Sequence, residues 1–153
     1  MPLLSMDYMY ILGNRKCYVE YYDVVATKDE PYQKLLSSLS EVEKKYDYLE
    51  DIEASKAWYD HLLTVTYYKG GGSDYDEDFK NMMVDSLSTY LKHANDLPKL
   101  SDNERSEKLH ITLEYTDGLI EKGGISTDFF KDSLGDEETK KFFDNVFFGT
   151  ATE

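Results

Sequence analysis

The chain has 153 residues and a formal net charge of −14 at pH 7, because 31 Asp and Glu outweigh 17 Lys and Arg. A surface this negative excludes direct binding of nucleic acid, since one polyanion gains no counterion-release energy from another. Hydrophobic residues make up 41% of the chain, enough for one core, and the single cysteine, Cys17, excludes an internal disulfide. We therefore expect one globular, cytoplasmic domain over residues 1–153, without the run of about 20 apolar residues that spans a membrane.

The first 26 residues carry the pattern of a β-hairpin. Residues 8–12 and 17–25 are rich in aromatic and β-branched side chains, and the polar stretch 13–16 separates them. Two such segments around a glycine-containing turn are typical of paired antiparallel strands. Because a lone hairpin is only marginally stable in water, we expect it to pack on the rest of the chain.

A first helix is predicted to begin at the capping box of residues 27–30, with Pro31 in its first turn. Apolar side chains then recur three and four positions apart, as in a heptad seam. The seam consists of Tyr32, Leu35, Leu39, Val42, Tyr46 and Leu49. Its spacing changes afterwards, so we expect a kink or register break near residues 53–56.

A second helix is predicted from Asp74 to Asn95, after a glycine triplet at residues 70–72 that we interpret as a flexible linker. Acidic residues 76–78 in its first turn complement the helix dipole. Its apolar face comprises Phe79, Met82, Met83, Leu87, Tyr90, Leu91 and Ala94. We expect this face to be buried.

Residues 101–104 form a further capping box, and residues 123–124 are two glycines that end whatever begins there. Near the C-terminus, three acids precede the phenylalanines of residues 142–147, which predicts a short helix that docks through those rings. Residues 149–153 are expected to be a frayed tail.

These elements favour a mainly α fold: a bundle-like single domain with a β-hairpin at residues 1–26, a helical body at 27–148 and the tail. Residues 62–68 and 109–115 fit either a strand or a helix by their periodicity. The alternative is therefore an α+β fold, in which both segments join the hairpin in a small four-stranded antiparallel sheet.

The segment Leu109-His110-Ile111-Thr112-Leu113 resembles the h-H-x-T-h signature of the 2H phosphoesterases. That resemblance implies a His110 that moves a proton on a phosphodiester and a Thr112 that binds its oxygens. The family's division into acid and base requires two copies of the signature, and this chain supplies one.

Asp74 and the acids after it resemble the start of a calcium-binding loop. Such a loop requires Gly at its sixth position and a bidentate Glu at its twelfth, and this chain has Phe79 and Asp85 there. We expect no metal and no cofactor.

Acids and tyrosines interleave at residues 18–23, 46–51 and 74–78. Tyr offers broad contact area and a hydroxyl, while carboxylates pair with Lys and Arg and speed association. The last two segments therefore predict a partner-binding site that comprises Tyr46, Asp47, Tyr48, Glu50, Asp51, Asp74, Tyr75, Asp76 and Asp78.

This composition favours a non-enzymatic acidic protein that occludes the basic surface of a toxin, a nuclease or another nucleic-acid-binding protein. Immunity-type and phage-type inhibitors work in this way. Two alternatives remain open: a structural subunit that uses the heptad seam, and a 2H-like phosphoesterase that uses His110. The sequence does not specify an oligomeric state.

Overall fold

The computed structural model describes residues 1–151, apart from the side chains of Ile125 and Ser126. Five α-helices and one four-stranded antiparallel sheet in this range make an α+β fold. The mainly α prediction is therefore only partly correct, since the chain is rich in helix but also builds a sheet.

The chain divides into two compact units. Unit 1 contains residues 1–23, 27–56 and 61–99, and unit 2 contains residues 24–26, 57–60 and the remainder from Leu100 onward. The sheet and the first two helices belong to unit 1, and the last three helices belong to unit 2.

The sheet of unit 1 is built around the predicted hairpin, which is confirmed, although its turn is formed by residues 12–13 and residues 14–16, predicted to separate the strands, belong to its second strand. Strand β1 (Leu3–Ile11) pairs with β2 (Asn14–Tyr22) through a two-residue turn. Strand β3 (Glu50–Asp51) is very short, β4 spans Leu63–Gly71, and the order across the sheet is β1-β2-β4-β3. The ambiguous segment 62–68 thus lies mostly in a strand, as the α+β alternative expects.

Helix α1 (Glu30–Lys45) follows the hairpin, and its limits differ from those predicted. Its cap is Asp29, whose carboxylate accepts the Tyr32 N–H at 2.9 Å, and not Thr27. The helix ends at Lys45 because the chain turns there, so Glu50 and Asp51 lie in β3 and the break expected near residues 53–56 does not occur within a helix.

The heptad seam forms part of the unit 1 core although the helix stops before its end. All six seam residues are buried, and Tyr46 and Leu49 reach the core from the turn that follows α1. Side chains from the inner sheet face and from α2 complete this core: Cys17, Val19, Tyr21, Val65, Tyr67, Phe79 and Met82.

Helix α2 (Asp76–Ala94) follows a short 3₁₀ turn, Ser73–Tyr75. Phe79 and Met82 are buried as expected, but Leu87 is 42% and Leu91 55% exposed, so their predicted burial is wrong. The core face follows positions 79, 82, 86 and 93, where Ser86 and His93 replace the apolar residues that a hydrophobic pattern would seek.

The glycine triplet is not a linker, because Gly70 and Gly71 are the last residues of β4. Gly70 pairs with Glu50 of β3, and a Cβ atom at Gly70 would lie 2.5 Å from the Ile52 Cγ2. Glycine is therefore needed at this position so that the chain around β3 can approach β4 closely.

Helix α3 (Asp102–Lys122) is the first helix of unit 2, and it contains the second ambiguous segment. The capping box of Ser101 and Glu104 is confirmed, and Gly123 ends the helix as predicted. Residues 109–115 are therefore helical, and the strand alternative is wrong there. Its buried face uses positions 112, 115, 116 and 119, two of which are threonines that a search for apolar residues passes over.

Helices α4 (Ile125–Leu134) and α5 (Asp136–Phe142) complete unit 2, and a π-helical turn, Phe143–Phe147, extends α5. Phe143 is buried, whereas Val146 and Phe147 are exposed, so the expected docking holds only in part. Thr150 is buried and donates to Asp144, so the tail is not frayed at this residue; residues 152–153 lie outside the described range.

None of the helices in the described range combines the length and the apolar character that crossing a bilayer requires.

Candidate acidic and tyrosine-rich binding surface

The two acid–tyrosine segments predicted as a site meet at one end of the sheet of unit 1. Gly71 of β4 pairs with Arg15, next to the β1–β2 turn, and Gly70 pairs with Glu50 of β3. The chain then continues from Gly71 directly into residues 74–78. With strands about 4.8 Å apart, four strands span about 14 Å, which brings the turn, β3 and the start of α2 into one small area.

A direct hydrogen bond joins the two segments. The Tyr48 hydroxyl donates to the Asp78 carboxylate at 2.7 Å, across 30 residues of sequence. This bond raises the pKa of Tyr48, because the neutral phenol is the donor. Tyr48 keeps 61% of its surface exposed, so it holds its position at the surface while presenting its ring to solvent.

Asp76 is engaged with the hairpin. Its carboxylate accepts two hydrogen bonds from the Arg15 guanidinium, at 2.6 and 2.9 Å, and one from the Tyr8 hydroxyl at 3.0 Å. The Arg15 hydrogen bond, followed by the one from Tyr8, holds the pKa of Asp76 below its ordinary value. A fork-shaped pair of this kind orients the hairpin against α2, so Asp76 is less available to a partner than the sequence indicates.

Asp51 is also engaged in a contact within the chain. The Lys69 ammonium is buried in β4, and it donates to the Asp51 carboxylate at 2.6 Å and to the Leu49 carbonyl at 3.2 Å. A buried ammonium without its anion is strongly destabilising, so Asp51 serves the fold.

Tyr46 does not reach a partner surface, because it is buried in the core of unit 1. Its hydroxyl donates to the Asp85 carboxylate at 2.6 Å, and Lys45 donates to the same carboxylate at 2.5 Å. The Lys45 hydrogen bond, followed by that of Tyr46, lowers the pKa of Asp85. We correct the predicted site accordingly by removing Tyr46.

The remaining predicted residues face solvent. Asp47, Glu50 and Asp74 are exposed and form no ion pair with any residue in the described range. Together with Tyr48 and Tyr75 they form what we call the acidic face, which presents unneutralised carboxylates beside accessible phenol rings.

The hairpin adds residues that the sequence analysis missed. Tyr8 packs on Phe79 with ring centroids 6.1 Å apart, and the Arg15 guanidinium lies 4.6 Å from the centre of the Tyr10 ring. The signal available in the sequence was the period-two placement of Tyr8 and Tyr10, which puts both on one face of a strand.

The structure separates the two residues implied by the phosphoesterase resemblance. His110 is exposed on α3 with the Glu114 carboxylate 3.3 Å from its Nε2. Thr112 is buried on another side of the same helix and donates to the Lys108 carbonyl, one turn earlier. The signature places both side chains on one side of a strand, and a helix does not.

Within the described residues, no cluster of three or more His, Cys, Asp or Glu side chains is arranged to hold a metal ion. Cys17 is fully buried opposite Lys69 in the sheet, and burial raises the pKa of its thiol to about 12, which makes it a poor nucleophile.

Comparison of the chain with protein-family models gave no match, and comparison with curated proteins gave none either.

Proposed function

We propose that this chain is a non-enzymatic acidic binding protein that occludes a basic surface on another protein, as immunity-type and phage-type inhibitors do. The observation that carries the proposal is the Tyr48–Asp78 hydrogen bond, because it combines two acid–tyrosine segments into one acidic face.

The chemistry of the acidic face suits such a partner. Asp47, Glu50 and Asp74 carry charges that no cation within the described residues neutralises, so they remain available to Lys and Arg. Tyr48 and Tyr75 add broad, partly apolar contact area at low entropic cost. Unpaired carboxylates raise the association rate with a basic protein, and salt screens this effect over about 8 Å.

Other uses of the chain receive less support. The heptad seam is buried inside unit 1, where it has no surface to offer a second helix. His110 and Thr112 point to different sides of α3, and the neighbour of His110 is a carboxylate one turn away on the same helix.

The first test reverses charge on the acidic face. Asp47→Lys combined with Glu50→Lys changes two exposed carboxylates that form no ion pair with described residues and do not lie at a helix N-terminus. After a partner has been captured from the source cell and released by a salt gradient, we expect the double variant to associate about tenfold more slowly, with a nearly unchanged melting temperature.

A matched control distinguishes the effect of charge at the acidic face from the effect of the net charge of the protein on association. Glu107→Lys with Glu121→Lys makes the same change in net charge on exposed positions of α3 in unit 2. We expect this control to slow association far less. If the two double variants behave alike, or if the affinity for the partner does not fall with added salt, the acidic face is not the binding site.

A further inference from the structure

Strand β1 is an edge strand with little to protect it. It is nine residues long and, among the residues that the structure describes, pairs only with β2, because the sheet order places it outermost. Natural proteins protect such edges with Pro, Lys or a very short strand. The opposite edge, β3, has two residues and both are acidic, whereas β1 contains no Pro or Lys and one charged residue, Asp7.

The half of β1 next to the turn is largely exposed, although the Tyr8 ring packs on Phe79 and its hydroxyl donates to Asp76. The large hydrophobic side chains of residues 8–12, which include the first turn residue, have exposed fractions between 38% at Met9 and 96% at Leu12. No backbone hydrogen bond runs from β1 to any described segment other than β2. The outer row of its amides and carbonyls therefore has no partner from the described part of the chain.

The register identifies which amides point outward. Leu12 and Gly13 form a two-residue turn with positive φ at both positions, so Ile11 and Asn14 are a hydrogen-bonded pair. Hydrogen-bonded and non-bonded pairs alternate along an antiparallel ladder. The outward groups of β1 therefore belong to Leu4, Met6, Tyr8 and Tyr10.

The two faces of β1 demand different side chains from an added strand. Asp7 lies on one face, and its carboxylate accepts a hydrogen bond from Ser5 but has no cationic partner in the described range. Tyr8 and Tyr10 lie on the other face. Because successive side chains of a strand alternate between faces, a segment with Lys or Arg at every second position and apolar residues between would satisfy both.

Charge decides between the possible occupants. A second copy of the chain would bring −14 against −14, whereas a basic segment is attracted by the same charge. We propose that the outer edge of β1 binds an extended basic segment of the partner, which adds as a fifth antiparallel or parallel strand. This inference rests on the proposed function, since it names the part of the basic partner that docks and where it docks.

The test follows hydrogen exchange at the individual amides of the full chain. In the free protein, the amides of Leu4, Met6, Tyr8 and Tyr10 should exchange much faster than the ones between them, which are bonded to β2. An excess of a synthetic peptide of alternating Lys and Val should slow these four amides about tenfold or more. The same peptide with Glu in place of Lys should leave them unchanged.

A proline variant and its control test the main-chain contact. Tyr10→Pro removes an outward N–H without breaking a bond to β2, a position at which an edge strand tolerates Pro. We expect it to abolish protection by the Lys/Val peptide. Tyr10→Thr also removes the ring but keeps the N–H, so it should retain most of the protection.

Three results would overturn the proposal: exchange unaffected by the Lys/Val peptide, equal binding to Tyr10→Pro and Tyr10→Thr, or protection that grows with protein concentration alone, which would assign the edge to a second copy. A failure of the proposed function can be told apart from a failure of strand addition at β1. If binding of a captured partner is insensitive to salt and to charge reversal at Asp47 and Glu50 while the peptide still protects β1, the acidic-face proposal fails and the proposal for the β1 edge stands.

Discussion

The packing of unit 2 around Trp58 depends on the lack of a side chain at Gly118. Gly118 lies on the buried face of α3 directly against the indole of Trp58, and a Cβ atom there would overlap the ring. The indole has little freedom to move away, because its Nε1 donates to the Gly123 carbonyl at 3.1 Å and the Lys122 ammonium lies over its face.

We therefore expect Gly118→Ala to destabilise the protein by about 1–3 kcal/mol, although alanine favours helix by about 1 kcal/mol. Urea unfolding followed by the fluorescence of Trp58, the one tryptophan in the chain, would measure this. Gly72→Ala is the matched control, because a Cβ atom at Gly72 meets nothing within 4 Å and should be neutral or slightly stabilising. Equal stability of the two variants would contradict the overlap with Trp58.

Asp85 makes a pH-dependent contribution to stability. Hydrogen bonds from Lys45 and Tyr46 lower its pKa in the folded chain below the ordinary 3.8. A lowered folded pKa means that the contribution is complete above 3.8 and is lost as the pH falls through the folded value. The half-exposed setting of the pair keeps this contribution modest.

The expected outcome is that Asp85→Asn lowers the urea midpoint at about pH 7, and that its difference from the unmodified protein shrinks towards about pH 3. Asp132→Asn serves as the control, because Asp132 is exposed and forms no ion pair in the described range. A difference for Asp85→Asn that does not depend on pH would contradict the assignment.

At the scale of elements, α2 shows that a helix can be predicted while its buried face is not. The core contact runs through Phe79, Met82 and Ser86, so the stripe of Leu87 and Leu91 faces away from it. The apolar face of the sequence is wide, and the direction in which it packs depends on α1 and the sheet, which occupy one side of α2.

The core face assigned to α2 predicts which alanine truncations in this helix destabilise the protein most. Met82→Ala should lose about 2–5 kcal/mol of unfolding free energy as a core cavity, and the partly buried Met83 should lose less. Leu87→Ala and Leu91→Ala should stay within about 0.5 kcal/mol of the unmodified protein. Urea melts of the four variants measure the order; if Leu91→Ala lost as much as Met82→Ala, the assigned face would be wrong.

For the whole molecule, the two compact units are not separate pieces of chain. Unit 2 includes residues 24–26 and 57–60, which interrupt the sequence of unit 1. Because the chain crosses between the units several times, no single cut releases either one intact. This favours the interpretation of residues 1–153 as one domain, which stays a prediction.

The interpretation as one domain can be tested with two probe residues, because each unit contains one of them. Cys17 is buried in unit 1 and its thiol becomes reactive on unfolding, while Trp58 reports on unit 2. A single domain predicts that thiol labelling and tryptophan fluorescence change at the same urea concentration. Two separated transitions would instead show that the units unfold independently.

The sequence by itself determined the features that depend on neighbours in the chain. The hairpin around its glycine turn, the caps at Asp29 and Ser101, and the stop at Gly123 follow from local backbone chemistry, and the hairpin, the capping box and the stop could be predicted. The apolar seam from Tyr32 to Leu49 was also visible in the sequence, but its burial inside unit 1 was not predicted; burial of apolar area does not require that the helix continue.

Only the tertiary structure decided the contacts between segments far apart in sequence. The pairing of β3 with β4, the outward side of Leu91 and the neutralisation of Asp51 by Lys69 each depend on residues that no local pattern connects. The same holds for the acidic face: the acids and tyrosines were visible in the sequence, but their meeting through Tyr48 and Asp78 was not. A hydrogen bond across 30 residues forms only after the core has brought both backbones into place. The local sequence around Tyr48 or around Asp78 therefore does not predict it.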